Sequence, residues 1–193
     1  MNLCRAPINK NIVFSSEGYL PEEIAKHKNP TKSPLSHLYP SKFEYKEYTF
    51  VSNEQFVMFV KAKKFGDEEA ARKIIEMNNQ PLVRDFIEGN ISKEDIANNE
   101  KYYEKWKEIM KEIKNIGAEV KNVNIEEWEQ KLPKFRFIGA KEKFKQNEDL
   151  RKFLMTVNKN HIAKLVTKEK FNEILTLVQD LQEEFSNRKK VVR

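Results

Sequence analysis

Val51-Ser52-Asn53-Glu54-Gln55-Phe56-Val57-Met58-Phe59-Val60-Lys61 is the stretch from which this chain is read. Ser52 is a good N-cap, because its hydroxyl can accept from a free backbone N–H of the first turn. Gln55 stands three residues on, so a capping box is possible here. The helix that follows places Glu54 and Lys61 on one face, about two turns apart, with Met58 between them. An acid and an amine on one face of a Phe- and Val-rich helix form a candidate active pair. The competing reading is a solvated pair on an amphipathic helix, and both stay open at this point.

Working outward, Phe43-Glu44-Tyr45-Lys46-Glu47-Tyr48-Thr49-Phe50 is aromatic-rich with partial alternation, which predicts a strand or hairpin. Before it, Pro7, Pro21, Pro30 and Pro34 break residues 1–34 into irregular chain, with Ile12-Val13-Phe14 as a possible short strand. After the helix, Gly66-Asp67 reads as a stop and a new cap, opening a helix from Glu68 to Met77. Asn78-Asn79-Gln80-Pro81 breaks it, and a short helix from Leu82 to Glu88 ends at Gly89-Asn90.

Ser92 is expected to open the longest helix, running to about Asn115. Its stripe of Ile96, Tyr102/Tyr103, Trp106, Ile109/Met110, Ile113 and Ile116 has helical spacing, and Gly117 suits its C′ position. Ile125 to Leu132 reads as a short helix or turn before Pro133; Phe135 to Gln146 continues helically, with Asn147 capping Glu148 to Met155. Thr167 caps a last helix. Phe171, Ile174, Val178, Leu181 and Phe185 recur along it at 3-4-3-4 spacing, a seam that suits packing on its own domain or a homodimer through residues 168–187.

The chain has 193 residues, 39% of them hydrophobic and 34% charged, with 13 Phe and only 5 Gly. That composition favours one mostly helical domain with an appended helix. The net charge of +6 is spread among interleaved acids, apart from the closing run Arg188-Lys189-Lys190-Val191-Val192-Arg193. It fits a solvated helical surface, or attraction to a polyanion or phosphorylated ligand. Cys4 is the single cysteine, so no internal disulfide forms and a reducing, cytoplasmic setting is expected. No run of about 18 apolar residues predicts a membrane span. His27 and His161 have no partners at metal-ligand spacing, and no phosphate-binding glycine loop is present, so neither a metal nor another cofactor is expected.

Residues Leu35 to about Thr156 resemble the NADAR (YbiA-like) superfamily. Leu35-Ser36-His37-Leu38-Tyr39-Pro40-Ser41-Lys42-Phe43 is similar to its Leu-Ser-Asn-Phe-Tyr-Pro-x-Pro-Phe motif. Ser52-Asn53-Glu54-Gln55-Phe56-Val57-Met58-Phe59-Val60-Lys61-Ala62 is similar to its Ser/Thr-x-Glu-His-x-x-Gln-x-x-Lys-Ala motif. Trp128, followed by Lys143-Phe144-Lys145-Gln146-Asn147, resembles its third; Trp106 is the rival tryptophan but sits in a core-like stripe. The chain departs from the pattern at His37, Gln55 and Met58, and the family's later Asp-x-x-Trp-Gly element is missing.

The resemblance implies an α+β fold, predominantly α, as a single YbiA-like domain over 1–165. A helical insertion falls at about 80–116, and an amphipathic helix with a basic tail occupies 166–193. It implies cleavage of an N-glycosidic bond on an ADP-ribosyl or phosphorylated ribosyl ligand, possibly carried on nucleic acid. Glu54 and Lys61 would be catalytic, with Ser36, His37, Tyr39, Phe43, Gln55, Met58 and Trp128 around the ligand. Such chemistry builds positive charge at the anomeric carbon, which a carboxylate stabilises. An amine can protonate the departing base or attack an opened ribose. Two other classes stay open: a catalytically degenerate nucleotide binder, and a basic helical adaptor for protein or nucleic acid.

Overall fold

A computed structural model describes residues 33–158 and 168–188. Cys4, Ile12–Phe14, His27, His161, Thr167 and the basic tail from Lys189 lie outside the described residues. The fold is α+β and predominantly α, with one two-stranded sheet among the described residues. The chain divides into two compact units, residues 37–151 and a second that holds residues 33–36 and 152 onward.

In the first unit, β1 (Phe43–Tyr45) and β2 (Tyr48–Phe50) form the expected hairpin, antiparallel with Phe43 opposite Phe50 and Tyr45 opposite Tyr48. Alternation along both strands puts these four rings on one face. That face meets helix α1 (Asn53–Lys64): Phe50 lies 5.3 Å from both Phe56 and Phe59 between ring centroids, and Tyr48 lies 4.6 Å from Phe59. The hairpin reverses at Lys46, which adopts φ 53°, a left-handed conformation usually left to Gly or Asn.

Ser52 Oγ accepts from Gln55 N at 3.1 Å, so the cap forms. The reciprocal half of a capping box does not. The Gln55 side chain is fully buried and serves other partners: Oε1 accepts from Val51 N at 2.9 Å, and Nε2 donates to Ile74 O and Asn78 Oδ1. A buried amide must satisfy its own polar atoms, and these three bonds do so.

Gly66, at φ 74°, ends α1, and Asp67 caps α2 (Glu68–Glu76) by accepting from Ala70 N. A 3₁₀ turn (Met77–Asn79) leads to α3 (Pro81–Glu88), which starts on a proline and stops at Gly89. The single long helix expected from Ser92 is two helices. Ser92 and Asp95 form a capping box for α4 (Lys93–Asn98). Asn99 is extended, and its side chain accepts from Lys101 N and Tyr102 N to start α5 (Glu100–Ala118). An asparagine that offers its side chain to the following amides competes with helix continuation, and here it restarts the helix.

Gly117 lies inside α5, not at a left-handed C′ position. Its bare Cα lets α1 approach, because a Cβ there would collide with Met58 Sδ and stand 2.7 Å from its Cγ. The short helix or turn expected before Pro133 and the helical stretch after it form one helix, α6 (Ile125–Gln146), which is also the longest described. Pro133 is exposed and so is Glu129, four residues back, whose freed carbonyl can turn to water.

Segment 80–116 is part of the core. Trp106, Ile109, Met110 and Ile113 of α5 are at most 3% exposed, and the Trp106 indole N–H donates to Leu38 O at 2.8 Å. This stripe is therefore covered by its own unit and does not present an apolar face to a partner.

Helix α7 spans Glu148–Thr156 and α8 spans Lys168–Arg188. In the second unit, Gln182 Nε2 donates to Leu154 O at 2.9 Å and Val157 O at 2.7 Å, at and just beyond the end of α7, where Leu154 O also accepts from Val157 N at 3.2 Å. Ile174, Val178, Leu181 and Phe185 are buried within the single chain. No described helix is long and apolar enough to cross a membrane.

Candidate functional site

The two N-terminal motif segments meet at the start of α1. Glu54 N donates to His37 O at 3.0 Å, and Asn53 Nδ2 lies 2.6 Å from His37 Nδ1. Asn53 Nδ2 also donates to Arg136 O of α6 at 3.2 Å. With the amide donating, His37 Nδ1 is the acceptor and the ring proton resides on Nε2. His37 is 4% exposed, and its Nε2 has no hydrogen-bond partner among the described residues. Burial, and then the charges of Arg136, Lys143 and Lys114, hold its pKa well below the ordinary histidine value. A buried neutral imidazole N–H among cations suits the oxygen of an anion and repels a cation.

The third motif segment reaches the same end of the unit. Lys143 is 1% exposed, with Nζ 5.5 Å from the Tyr39 ring centroid and 5.3 Å from that of Phe144. Burial lowers its pKa to about 7, so near neutrality it can give or take a proton. Asn147 Nδ2 donates to Lys42 O, and Gln146 Nε2 to Glu44 O, which fixes the end of α6 against the first motif and β1. Gly139 is where α6 crosses Asn53: a Cβ there would collide with Asn53 Oδ1 and stand 2.6 Å from Phe56 Cδ1.

The expected pair, Glu54 and Lys61, is not brought together by a hydrogen bond or ion pair. Lys61 Nζ donates to Gly117 O at 2.8 Å, placing its charge at the negative end of α5. It also sits 5.9 Å from the Trp128 ring centroid, and partial burial lowers its pKa. Seven residues at 1.5 Å each put Glu54 and Lys61 about 10 Å apart along the helix axis.

Trp128 is with Lys61, not with His37. It is 8% exposed, stacks on Phe135 at 5.8 Å and meets Phe65 edge-on, which leaves little ring surface for a base. Met58 is half-buried against Gly117, Phe43 is core, Tyr39 lies under Lys143, and Ser36 is buried. Gln55 is tied into the core by the three bonds given above.

The residues that complete the site and escaped sequence reasoning are Asn53, Lys114 and Arg136, and Lys143 as a site residue. Asn53 occupies the variable position of the Ser/Thr-x-Glu pattern, which carries no signal of its own. Lys143 had a usable signal: Gly139, Ala140, Lys143, Phe144 and Asn147 follow 3-4 spacing, which puts a lysine on a face of small and apolar residues. Among the described residues, no cluster of three or more His, Cys, Asp or Glu side chains could hold a metal ion. Comparison with models of known families and with curated proteins finds no match to this chain.

Proposed function

We propose that the first unit is an N-glycosidase-type hydrolase of the NADAR kind, acting on an ADP-ribosyl or ribosyl-phosphate N-glycoside. The observation that carries this reading is the neutral His37 Nε2–H, without a partner among the described residues, near the charges of Arg136, Lys143 and Lys114 and beside the first turn of α1 that holds Glu54. The cations suit a ligand phosphate. In this reading Glu54 is the carboxylate that stabilises positive charge at the anomeric carbon or orients water. Lys143 takes the amine's part that the motif assigned to Lys61, since burial lowers its pKa to about 7 and its charge acts on His37.

A second reading, a binder of the same ligands without turnover, is favoured by Lys61, whose amine is committed to the Gly117 carbonyl. One experiment separates the two. Purified protein is assayed for release of ADP-ribose from guanine-ADP-ribosylated DNA, with Glu54→Gln beside it and melting with free ADP-ribose in parallel. The hydrolase reading expects release by wild type, loss of at least about 100-fold in Glu54→Gln, and retained binding. The binder reading expects no release but stabilisation by about 2.7 kcal/mol at 100-fold excess over Kd. Neither release nor stabilisation overturns both.

A further inference from the structure

Helix α1 lines a cavity of about 330 Å³, bounded by the hairpin and α6. On a helical wheel Glu54, Met58 and Lys61 fall on one side of α1, whereas Phe56, Val60 and Lys63 fall on the other. None of His37, Asn53, Lys114, Arg136 and Lys143 lines this cavity, which sets it apart from the His37 site. Its interior is aromatic and aliphatic. Tyr45 and Tyr48 come from the strands, Phe56 and Val60 from α1, and Phe135 and Ile138 from α6. Of these only Phe56 is fully buried; the other five keep part of their apolar surface uncovered. Its size lies at the small end of the range for small-molecule sites.

The rim decides the charge of the occupant. Lys46, Glu47, Lys63 and Lys64 line it. Lys63 is paired with Glu68, and Lys64 with Glu127. Among the described residues Lys46 has no carboxylate within ion-pair distance, and its Nζ stands 6.0 Å from the Tyr45 ring centroid. The rim thus offers one uncommitted cation beside the carboxylate of Glu47. That balance suits a single negative charge and opposes a polyphosphate.

We propose that this cleft binds a small aromatic monoanion, with its rings among Tyr45, Tyr48 and Phe135 and its charge at Lys46. Aromatic rings in such a cleft gain edge and face contacts beyond simple burial. The hairpin tip holds Lys46 in place through its left-handed backbone.

The test uses two probes that share an aromatic body and differ in charge: anilinonaphthalene sulfonate and the neutral phenylnaphthylamine. Their fluorescence is titrated on the full chain, on Lys46→Gln and on Val60→Trp, with circular dichroism confirming the fold. Saturable one-to-one binding of both probes is expected. Lys46→Gln should weaken the sulfonate about threefold and leave the neutral probe unchanged, as suits one exposed charge contact. Val60→Trp should fill the cleft and abolish both. Sulfonate binding that is absent, that is untouched by both variants, or that falls no more than the neutral probe in Lys46→Gln overturns the proposal. Should Val60→Trp fail to fold, the Lys46→Gln comparison decides alone, since that side chain is exposed and packs in no core.

Discussion

Asn53 Nδ2 meets His37 Nδ1 at 2.6 Å, and through this contact the first turn of α1 fixes both the tautomer and the position of a buried histidine. The asparagine can do this because Gly139 on α6 leaves room for its amide. The same amide donates to Arg136 O, so one side chain joins three segments distant in sequence. The consequences can be measured separately.

Gly139→Ala tests the crossing. In an exposed helix this change would stabilise by about 1 kcal/mol. Here the new Cβ meets Asn53 and Phe56, so a net loss of about 1–3 kcal/mol is expected in denaturant melts. Adding Asn53→Ala should recover part of it by removing one of the two obstructions. A stabilised Gly139→Ala protein would contradict the close approach of α1 and α6.

Gln55→Leu tests whether this motif position is structural. The substitution leaves Val51 N, Ile74 O and Asn78 Oδ1 without their partner. Stranding buried polar groups costs about 1–3 kcal/mol each where water cannot reach them, so a loss of at least about 2 kcal/mol is expected. Unchanged stability with lost ligand binding would instead make Gln55 a contact residue.

His37 gives stability an acid limb. Burial and the neighbouring cations hold its folded pKa well below 6.5, so the unfolded chain takes up the proton first as pH falls. Its contribution is complete above about pH 6.5 and is lost as pH drops through that value toward the folded pKa. Urea melts at about pH 7.5 and 5.5 should show a larger decrease for wild type than for His37→Asn. Equal decreases would mean that the imidazole titrates normally.

Lys143 acts in a higher window. Its folded pKa is about 7, against about 10.4 for an unfolded lysine, so the unfolded chain holds the extra proton between these values. Stability contributed by the neutral amine is therefore full above about pH 10 and declines as pH falls toward 7. Lys143→Met should flatten this slope and raise stability at neutral pH, by on the order of 2 kcal/mol. If Lys143 is the proton donor proposed above, the same variant should lose turnover while gaining stability. Lost stability would show that the amine's contacts outweigh its burial.

Much of the fold is legible in local chemistry. The hairpin, the Ser52 cap, the Gly66-Asp67 junction and the Pro81 and Gly89 boundaries each rest on residues that act on their own neighbours. The errors came where two local signals competed. Asn99 looked like an ordinary residue inside a long apolar stripe, yet its side chain restarts the helix. Pro133 looked like a break, yet its exposed position lets α6 run through. Gly117 suited a helix end by spacing, but it is selected by the bulk of Met58 on another helix.

Local chemistry set where the hairpin and most of the helices begin, because caps, turns and periodic apolar faces act within a few residues. The sequence also marked the segments that converge on α1. Tertiary structure alone decided which polar residues share a site. Glu54 and Lys61 lie on one face of a helix, but Lys61 is drawn to the carbonyl end of α5. The amine that comes to the His37 end is Lys143, delivered from about 90 residues away by the crossing at Gly139. Helical periodicity orders side chains around one axis, whereas the neighbours they meet are set by how helices cross.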